Sequence, residues 1–416
     1  MGLDLTTFNA ALKEYYSQDY VENLVYKKNP FLAMVPKQPK FPGKNLPVPL
    51  IYGNPQGVNS QFATAQTRAA ATNTRVSQFT LTRVKKYGIA VIDGETLKAS
   101  QDEEGAFIEA ATTEIDGVIN ATTRRIATDG FRAGWGKVGV LANSSFATTI
   151  ATLATTEDAV NFEIGMQIEL AAAEATGTLR AGGPMTVVAV DRSAGTVTFA
   201  ANISTTIAAA AQNDIMFISG DRESAATPTR RCIAGLEAWL PQTAPVVGGG
   251  DSFFGVDRSA DPTRLAGQRI SGAGAPIEEL LVEAAVVVGR EGGKVSHAFC
   301  SYRAWSQLQK ALGAKVAYDM VASSNRADIA FKAIVVNGPD GEIKVIADQN
   351  CPGNKIFALQ LDTWKLASIG PVVSTIDEDG NDILRVYNAD QVESRNGFYG
   401  NLFCQAPGFN ATVQWA

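Results

Sequence analysis

Prolines bracket the apolar positions of LPVPLIYG (Leu46 to Gly53), and in QFTLTRVKKYGIAVI (Gln78 to Ile92) apolar and polar residues alternate, the period of a half-buried strand. The connecting stretch, GVNSQFATAQTRAAATNTRVSQFT (Gly57 to Thr80), is polar, alanine-rich and nearly free of bulky hydrophobes. Together they predict a hairpin over residues 46–92 with a very long tip. Structureless loops longer than about 12 to 15 residues are uncommon in compact domains and usually serve binding. An isolated two-stranded hairpin is at best marginally stable in water, so something outside the chain is expected to hold this one.

The period then lengthens. In DGETLKASQDEEGAFIEAATTEIDGVINATTRRIATD, residues Phe107, Ile108, Ala111, Ile115, Val118, Ile119, Thr122 and Ile126 recur at three and four, which predicts a long amphipathic helix. From Glu103 to Thr128 it would run about 39 Å at 1.5 Å per residue, and Gly117 within it costs about 1 kcal/mol relative to alanine. Ahead of the hairpin, residues 1–45 read as an arm. A short amphipathic helix there spans Phe8 to Tyr16, and Pro30, Pro36, Pro39 and Pro42 are expected to break regular structure after it.

Composition changes after Gly130. Between Gly136 and Gly220 short strands such as FEIGMQIEL, PMTVVAVD, GTVTFA and NDIMFIS follow at close intervals, the pattern of a small β-barrel or sandwich inserted as a module. RCIAGLEAWL restarts the main body. A helix from Pro276 to Arg290 has Pro at its first turn and Glu278 and Glu279 near the positive end of its dipole. A third helix is expected around Tyr302 to Leu312, and most of the remainder reads as strand. The predicted fold class is α+β, with helices and strands segregated and no repeated βαβ unit. Its expected parts are the arm (1–45), the hairpin (46–92), the long helix (93–135), the β module (136–220) and a return segment (221–275), then a mixed domain (276–381) and C-terminal strands returning to the first body (382–416).

With 416 residues, 45% of them hydrophobic, the chain can bury a sizeable core and exceeds the length at which one core keeps growing. A net charge of −6 argues against a protein whose main task is gripping nucleic acid. Cys232, Cys300, Cys351 and Cys404 are far apart, lack CxxC spacing and read as reduced thiols. No run reaches the eighteen or so apolar residues of a membrane span. GWGKVG (Gly134 to Gly139) matches a dinucleotide-binding pattern, but it follows a helix and precedes strands, the reverse of what phosphate binding at a helix N-terminus needs. His297 is the single histidine and lies in a predicted strand, which favours a structural role over catalysis and weakens any zinc site. DEDGND (Asp377 to Asp382) has its glycine too early for an EF-hand and reads as a turn. No catalytic, cofactor or metal site is therefore expected. The basic pairs Lys85 with Lys86, Arg124 with Arg125, and Arg230 with Arg231 read as surface charge in a monomer, and in an assembly as partners for acidic residues such as Asp102, Glu103 and Glu104.

This order of arm, long-tipped hairpin, spine-like helix, second helix and mixed domain resembles the major capsid proteins of tailed bacteriophages with the HK97 fold. The phrases FFGVDRSADPTR and YNADQVESRNGFYGNLFCQAPGF also look like phage coat text. The resemblance covers nearly the whole chain, and the β module looks like an insertion of the kind this family tolerates. It implies a structural subunit, not an enzyme, that assembles into hexamers and pentamers of an icosahedral virion head in the host cytoplasm. The hairpin would be the family's extended loop, laid across a neighbour, with Phe62, Arg68 and Arg75 on the loop and Asp102, Glu103, Glu104, Arg124 and Arg125 as candidate inter-subunit contacts. Implied partners are a scaffolding protein, a portal at one vertex, a decoration or cement protein, and packaged double-stranded DNA held weakly and non-specifically; no membrane is implied. The short arm leaves no room for a built-in scaffolding segment, so a separate scaffold is expected. Some members crosslink through a lysine on the loop, but Leu46 to Val84 contains none, which argues against that chemistry here. Readings of another class are an α+β hydrolase with an inserted β domain, or a tail-tube subunit.

Overall fold

The computed structural model describes residues 28–41, 43–94, 104–246, 248, 252–272, 274–313, 317–324, 327–376 and 383–415. The helix expected at Phe8 to Tyr16, the turn at Asp377 to Asp382, and Asp102 and Glu103 lie outside them, as do the side chains of Glu104, Phe107, Ile108 and Ala111.

The hairpin pairs Asn45–Gly53 with Arg75–Thr82, in a register that sets Leu46 opposite Leu81 and Val48 opposite Phe79. These four side chains are buried at its base, where Phe79 packs edge-on against Trp239 with ring centroids 5.0 Å apart. Two expectations need correction. The tip is not a structureless loop: Phe62–Ala71 is a ten-residue helix, favoured by alanine at five of its positions. Nor does the hairpin continue to Ile92. The alternation runs on, but the chain bends at Arg83, and Val84–Asp93 joins a different sheet, paired antiparallel with Gln391–Cys404 from Val84 opposite Gly400 to Asp93 opposite Gln391. Asn401 fastens the bend, donating from Nδ2 to the carbonyl of Thr82 and accepting at Oδ1 from the amide of Ala234.

The proline-rich arm also holds more regular structure than expected. Pro30 sits in the first turn of a short helix, Pro30–Met34, where its missing N–H breaks no bond. Phe31 packs between Phe131 and Phe299, and its amide donates to Asp348 Oδ2 at 3.1 Å. Lys37–Gln38 then pairs in parallel with Trp364–Ser368.

The spine helix runs from Glu104 to Phe131, about 42 Å, and buries Ile115, Ile119, Ile126, Ala127 and Phe131. It lies close on the strand Val84–Asp93 because that strand carries glycine at the crossing: a Cβ on Gly88 would fall 2.1 Å from Thr122 Oγ1. The chain leaves the helix through GWGKVG, where Gly134 and Gly136 take φ near +84° and +80°, conformations that favour glycine. It then builds a six-stranded sheet ordered 137–140, 215–218, 167–171, 185–191, 196–199, 150–152, with an antiparallel bridge from Leu141 to Leu153 joining its first and last edges. Phe162, Ile168, Leu170, Val187, Val197 and Met216 fill its own core.

Beyond the module, a seven-stranded mixed sheet carries the helices Ile277–Arg290 and Tyr302–Leu312, whose Leu280, Leu281, Ala284, Val288, Ala304 and Leu308 form a further core. The expected single return at residue 382 is replaced by two crossings. After Leu359 the chain passes to the first sheet through Trp364–Ser368, and after Cys404 it goes back, ending with Ala411–Gln414 between Gln268–Ser271 and Lys355–Leu359. The two sheets are thus stitched by strand exchange, and helices and strands remain segregated in an α+β arrangement.

Candidate assembly surface

The hairpin tip is ordered and exposed along its length. No residue of Phe62–Ala71 is buried, and Phe62 in its first turn is 84% exposed. Ile51 and Val76, cross-strand partners further down, are exposed as well. Arg68 closes the tip helix and Arg75 opens the returning strand, both in solvent. A ten-residue helix is marginal in water even when rich in alanine, and this one buries nothing on its own chain. Where the first strand runs out toward the tip, a side brace holds it. Arg264 donates to the carbonyl of Tyr52 at 2.9 Å and to Glu291 Oε2 at 2.8 Å, a strut between the hairpin and the end of helix Ile277–Arg290.

The basic pairs take different roles. Arg124 reaches from the spine helix to Glu163 Oε1 of the β module at 2.9 Å and to the carbonyl of Val160. Arg125 is not the surface charge expected. It is turned inward, with Nη2 3.4 Å from Asp129 and 3.2 Å from Asp221, and it donates to the carbonyl of Gly136. Lys86 enters the same cluster, 2.9 Å from both oxygens of Asp221 and 3.4 Å from Asp129. Burial works against the Lys86 ammonium, but Asp129 foremost and Asp221 outweigh it, and its pKa is raised. Cys232, 3.4 Å from Lys86 Nζ, has its thiol pushed up to about 12, chiefly by burial. Two cations and two carboxylates from the strand, the helix and the module's exit are therefore matched inside the chain. Arg230 lies over Trp135 and Phe253, whereas Arg231 stays half exposed near Glu223. Lys85 points to solvent. Glu104 opens the spine helix.

A second buried network sits where the spine ends. Arg132 binds Asp158 of the module, and Lys355 donates to Glu237 at 2.8 Å. Burial would raise the Glu237 carboxyl, but Lys355, Arg132 and Lys137 bring it down to about 2. His297 Nδ1 is 2.9 Å from Ser296 Oγ, and burial with Lys344 beside it lowers the imidazole to about 4. The four cysteines are buried free thiols with raised pKa values. Among the described residues no group of three or more His, Cys, Asp or Glu could hold a metal, and no helix is long and apolar enough to cross a membrane. Sequence reasoning missed the Lys86–Asp221 cluster and the Arg264 strut, since both join residues remote along the chain.

Residues 209–381 match the family model described as SU10 major capsid protein. No curated protein matches the chain. Among solved structures, a cyanophage A-1(L) capsid asymmetric unit is similar over 95% of this chain and 92% of that one, at 12% identity and a TM-score of 0.47. An encapsulin from Synechococcus elongatus is similar over 92% and 87%, at 9% identity and 0.42, and a chain from Mycobacterium phage Ogopogo over 94% and 92%, at 8% and 0.41. The family match supports a tailed-phage major capsid protein: a structural coat protein of the virion capsid, homo-oligomeric, in a class that is not enzymatic. Nothing in the comparisons supports the hydrolase reading.

Removing one member of the buried cluster should leave an uncompensated charge. Lys86→Ala is expected to lower stability by about 3–5 kcal/mol, and Arg124→Ala, at an exposed pair, by about 1 kcal/mol or less. Urea denaturation of the monomer measures both; equal losses would refute the distinction.

Stability should also carry opposed acid responses. Unfolded histidine titrates near 6.5 and His297 folded near 4, so between these pH values the unfolded chain holds the extra proton and stability falls with pH. For Asp348, burial outweighs the hydrogen bonds from Asn350 and Phe31 and raises the carboxyl from 3.8 to about 6, so there the folded chain holds the extra proton and stability rises as pH falls. His297→Gln should make the variant gain on wild type during acidification, and Asp348→Asn should steepen the loss. Denaturant midpoints followed from neutral pH to about pH 4 give the profiles. Superimposable profiles for wild type and both variants would contradict the assignment.

Proposed function

We propose that copies of this chain close into the hexamers and pentamers of an icosahedral head around double-stranded DNA, each hairpin reaching across a neighbour. The observation that carries this is the helix Phe62–Ala71, ordered at the end of a hairpin yet burying nothing on its own chain. Repeated at every interface of a closed shell, such weak contacts accumulate. Phe62, Arg68 and Arg75 act from the loop side, and Asp102, Glu103 and Glu104, consecutive in the sequence, are candidates on the receiving side. Arg125 is engaged within its own chain, and Arg124 holds the β module to the spine. The division into arm, hairpin, spine, β module and mixed domain is part of this reading, with the module a separately folding unit on the outer surface. A separate scaffolding protein, a portal at one vertex and a decoration or cement protein complete the set of partners. The net charge of −6 suits a container that holds DNA loosely and releases it.

Deleting Ser60 to Ser77 should leave a soluble monomer with a nearly unchanged circular dichroism spectrum but no assembly in the electron microscope. Collapse of the spectrum would place the hairpin in the core and defeat the proposal.

Expression of the whole chain without phage partners should give aberrant or open assemblies. Uniform closed shells from this chain alone would remove the separate scaffold and leave the coat function standing.

A further inference from the structure

Residues 253–264 touch the hairpin at both of its edges. On one edge, Arg264 donates to the carbonyl of Tyr52 at 2.9 Å. On the other, the carbonyl of Phe254 accepts from the amide of Thr80 at 2.8 Å. That amide has no acceptor inside the hairpin. Thr80 lies opposite Pro47, which has no N–H to complete a bonded pair, so the Thr80 N–H faces outward. Between the two grips the segment is braced from within. The buried Arg258 donates to the carbonyl of Ala238 at 2.7 Å, with its guanidinium 4.2 Å from the centre of the Phe253 ring. Asp257 accepts from the amide and hydroxyl of Ser259, and Asp261 from the hydroxyl of Thr263 and the amide of Arg264.

The grip on Thr80 is made under strain. Ser252–Phe253 and Val256–Asp257 pair as a short antiparallel hairpin, which leaves Phe254 and Gly255 as its two loop residues. Both have positive φ, +47° and +84°. Turns of this kind favour Asn, Asp or Gly at the first position, and a bulky side chain there is an outlier. Among the described residues the one other non-glycine at positive φ is Asn213, a type that tolerates it. Phe254 is kept in place by its ring, 4.5 Å from that of Phe253 and 5.9 Å from that of Trp239, and by the bond to Thr80. The strain of one left-handed residue and the net worth of one hydrogen bond are of similar size, so the closed turn is held by a small margin. We propose that residues 253–264 form a saddle that sets the angle of the hairpin, with Phe254 as its release point. When the turn relaxes, Thr80 is freed and the hairpin tilts about the edge that Arg264 still holds. The device lies within one chain and does not depend on the coat-protein reading.

Gly255→Ala tests the saddle in the full chain as a monomer. A Cβ there would meet no atom within 4 Å, so the substitution removes no contact and penalises only the positive φ of the closed turn. Hydrogen exchange resolved to single amides should show Thr80 exchanging about tenfold faster than in wild type. Leu81, bonded across the hairpin to Leu46, should be unchanged. An unaltered rate at Thr80 overturns the release point. Equal acceleration at Leu81 makes the turn an ordinary part of the core and overturns it too. A second measurement reads the tilt. Spin labels at Phe62→Cys and Tyr302→Cys occupy exposed positions, while the four native cysteines are buried. Adding Gly255→Ala to that pair should broaden the distribution of tip-to-body distances or add a second population. A distribution identical to that of the labelled parent overturns the saddle and leaves the coat reading intact, since neither measurement involves assembly.

Discussion

The cluster of Lys86, Arg125, Asp129 and Asp221 is the constraint from which the rest of the architecture follows. It joins the strand that continues from the hairpin, the last turns of the spine helix, and the point where the chain leaves the β module. In this poorly solvated place each charge is tolerable only while its partners are present, because desolvation is compensated by close opposite charges and by hydrogen bonds such as that from Arg125 to Gly136. The cluster therefore fixes the module's exit against its entry and holds both to the helix. Arg132 with Asp158 repeats the device on the module's other side. An insertion of some eighty residues is in this way carried at a defined angle and not on a loose tether.

The hairpin obeys the opposite logic. Its base is anchored in aromatic packing around Phe79, Trp239 and Phe253, and Arg264 braces its strand from the side. Toward the tip, burial fades and ordered polypeptide projects into solvent. A coat subunit has to be rigid where its own fold is decided and unsatisfied where its neighbour completes it, and this chain separates the two along a single pair of strands. The match to the capsid family model over residues 209–381 lies outside the hairpin, so that match and the exposed loop are separate observations.

Much of the layout was legible in the sequence. The spine helix and the helix Ile277–Arg290 followed from apolar residues at three and four, and the helix Tyr302–Leu312 was placed where it stands. The short strands between Gly136 and Gly220 were recognisable because alternation and turn residues are local properties. Alanines at Ala63, Ala65 and Ala69 to Ala71 could also have signalled the tip helix, but their placement between two strands drew attention to the loop instead. Among the candidate contacts, Phe62, Arg68 and Arg75 stand exposed, whereas Arg125 lies inside, where Asp221, remote in sequence, joins its helix neighbour Asp129 against it.

By itself the sequence determined periodicity, hence which segments are helix or strand. Tertiary structure alone decided partners in space. The alternation from Gln78 to Ile92 is unbroken, yet its first half pairs within the hairpin and its second half pairs with Gln391–Cys404. Period two specifies which side chains share a face and carries no information about which strand lies alongside. Likewise Lys85 and Lys86 are adjacent and identical in the chain, but one points to water and the other into a buried cluster of carboxylates, because successive side chains of a strand face opposite ways and only the packed fold places Asp129 and Asp221 on one of those sides.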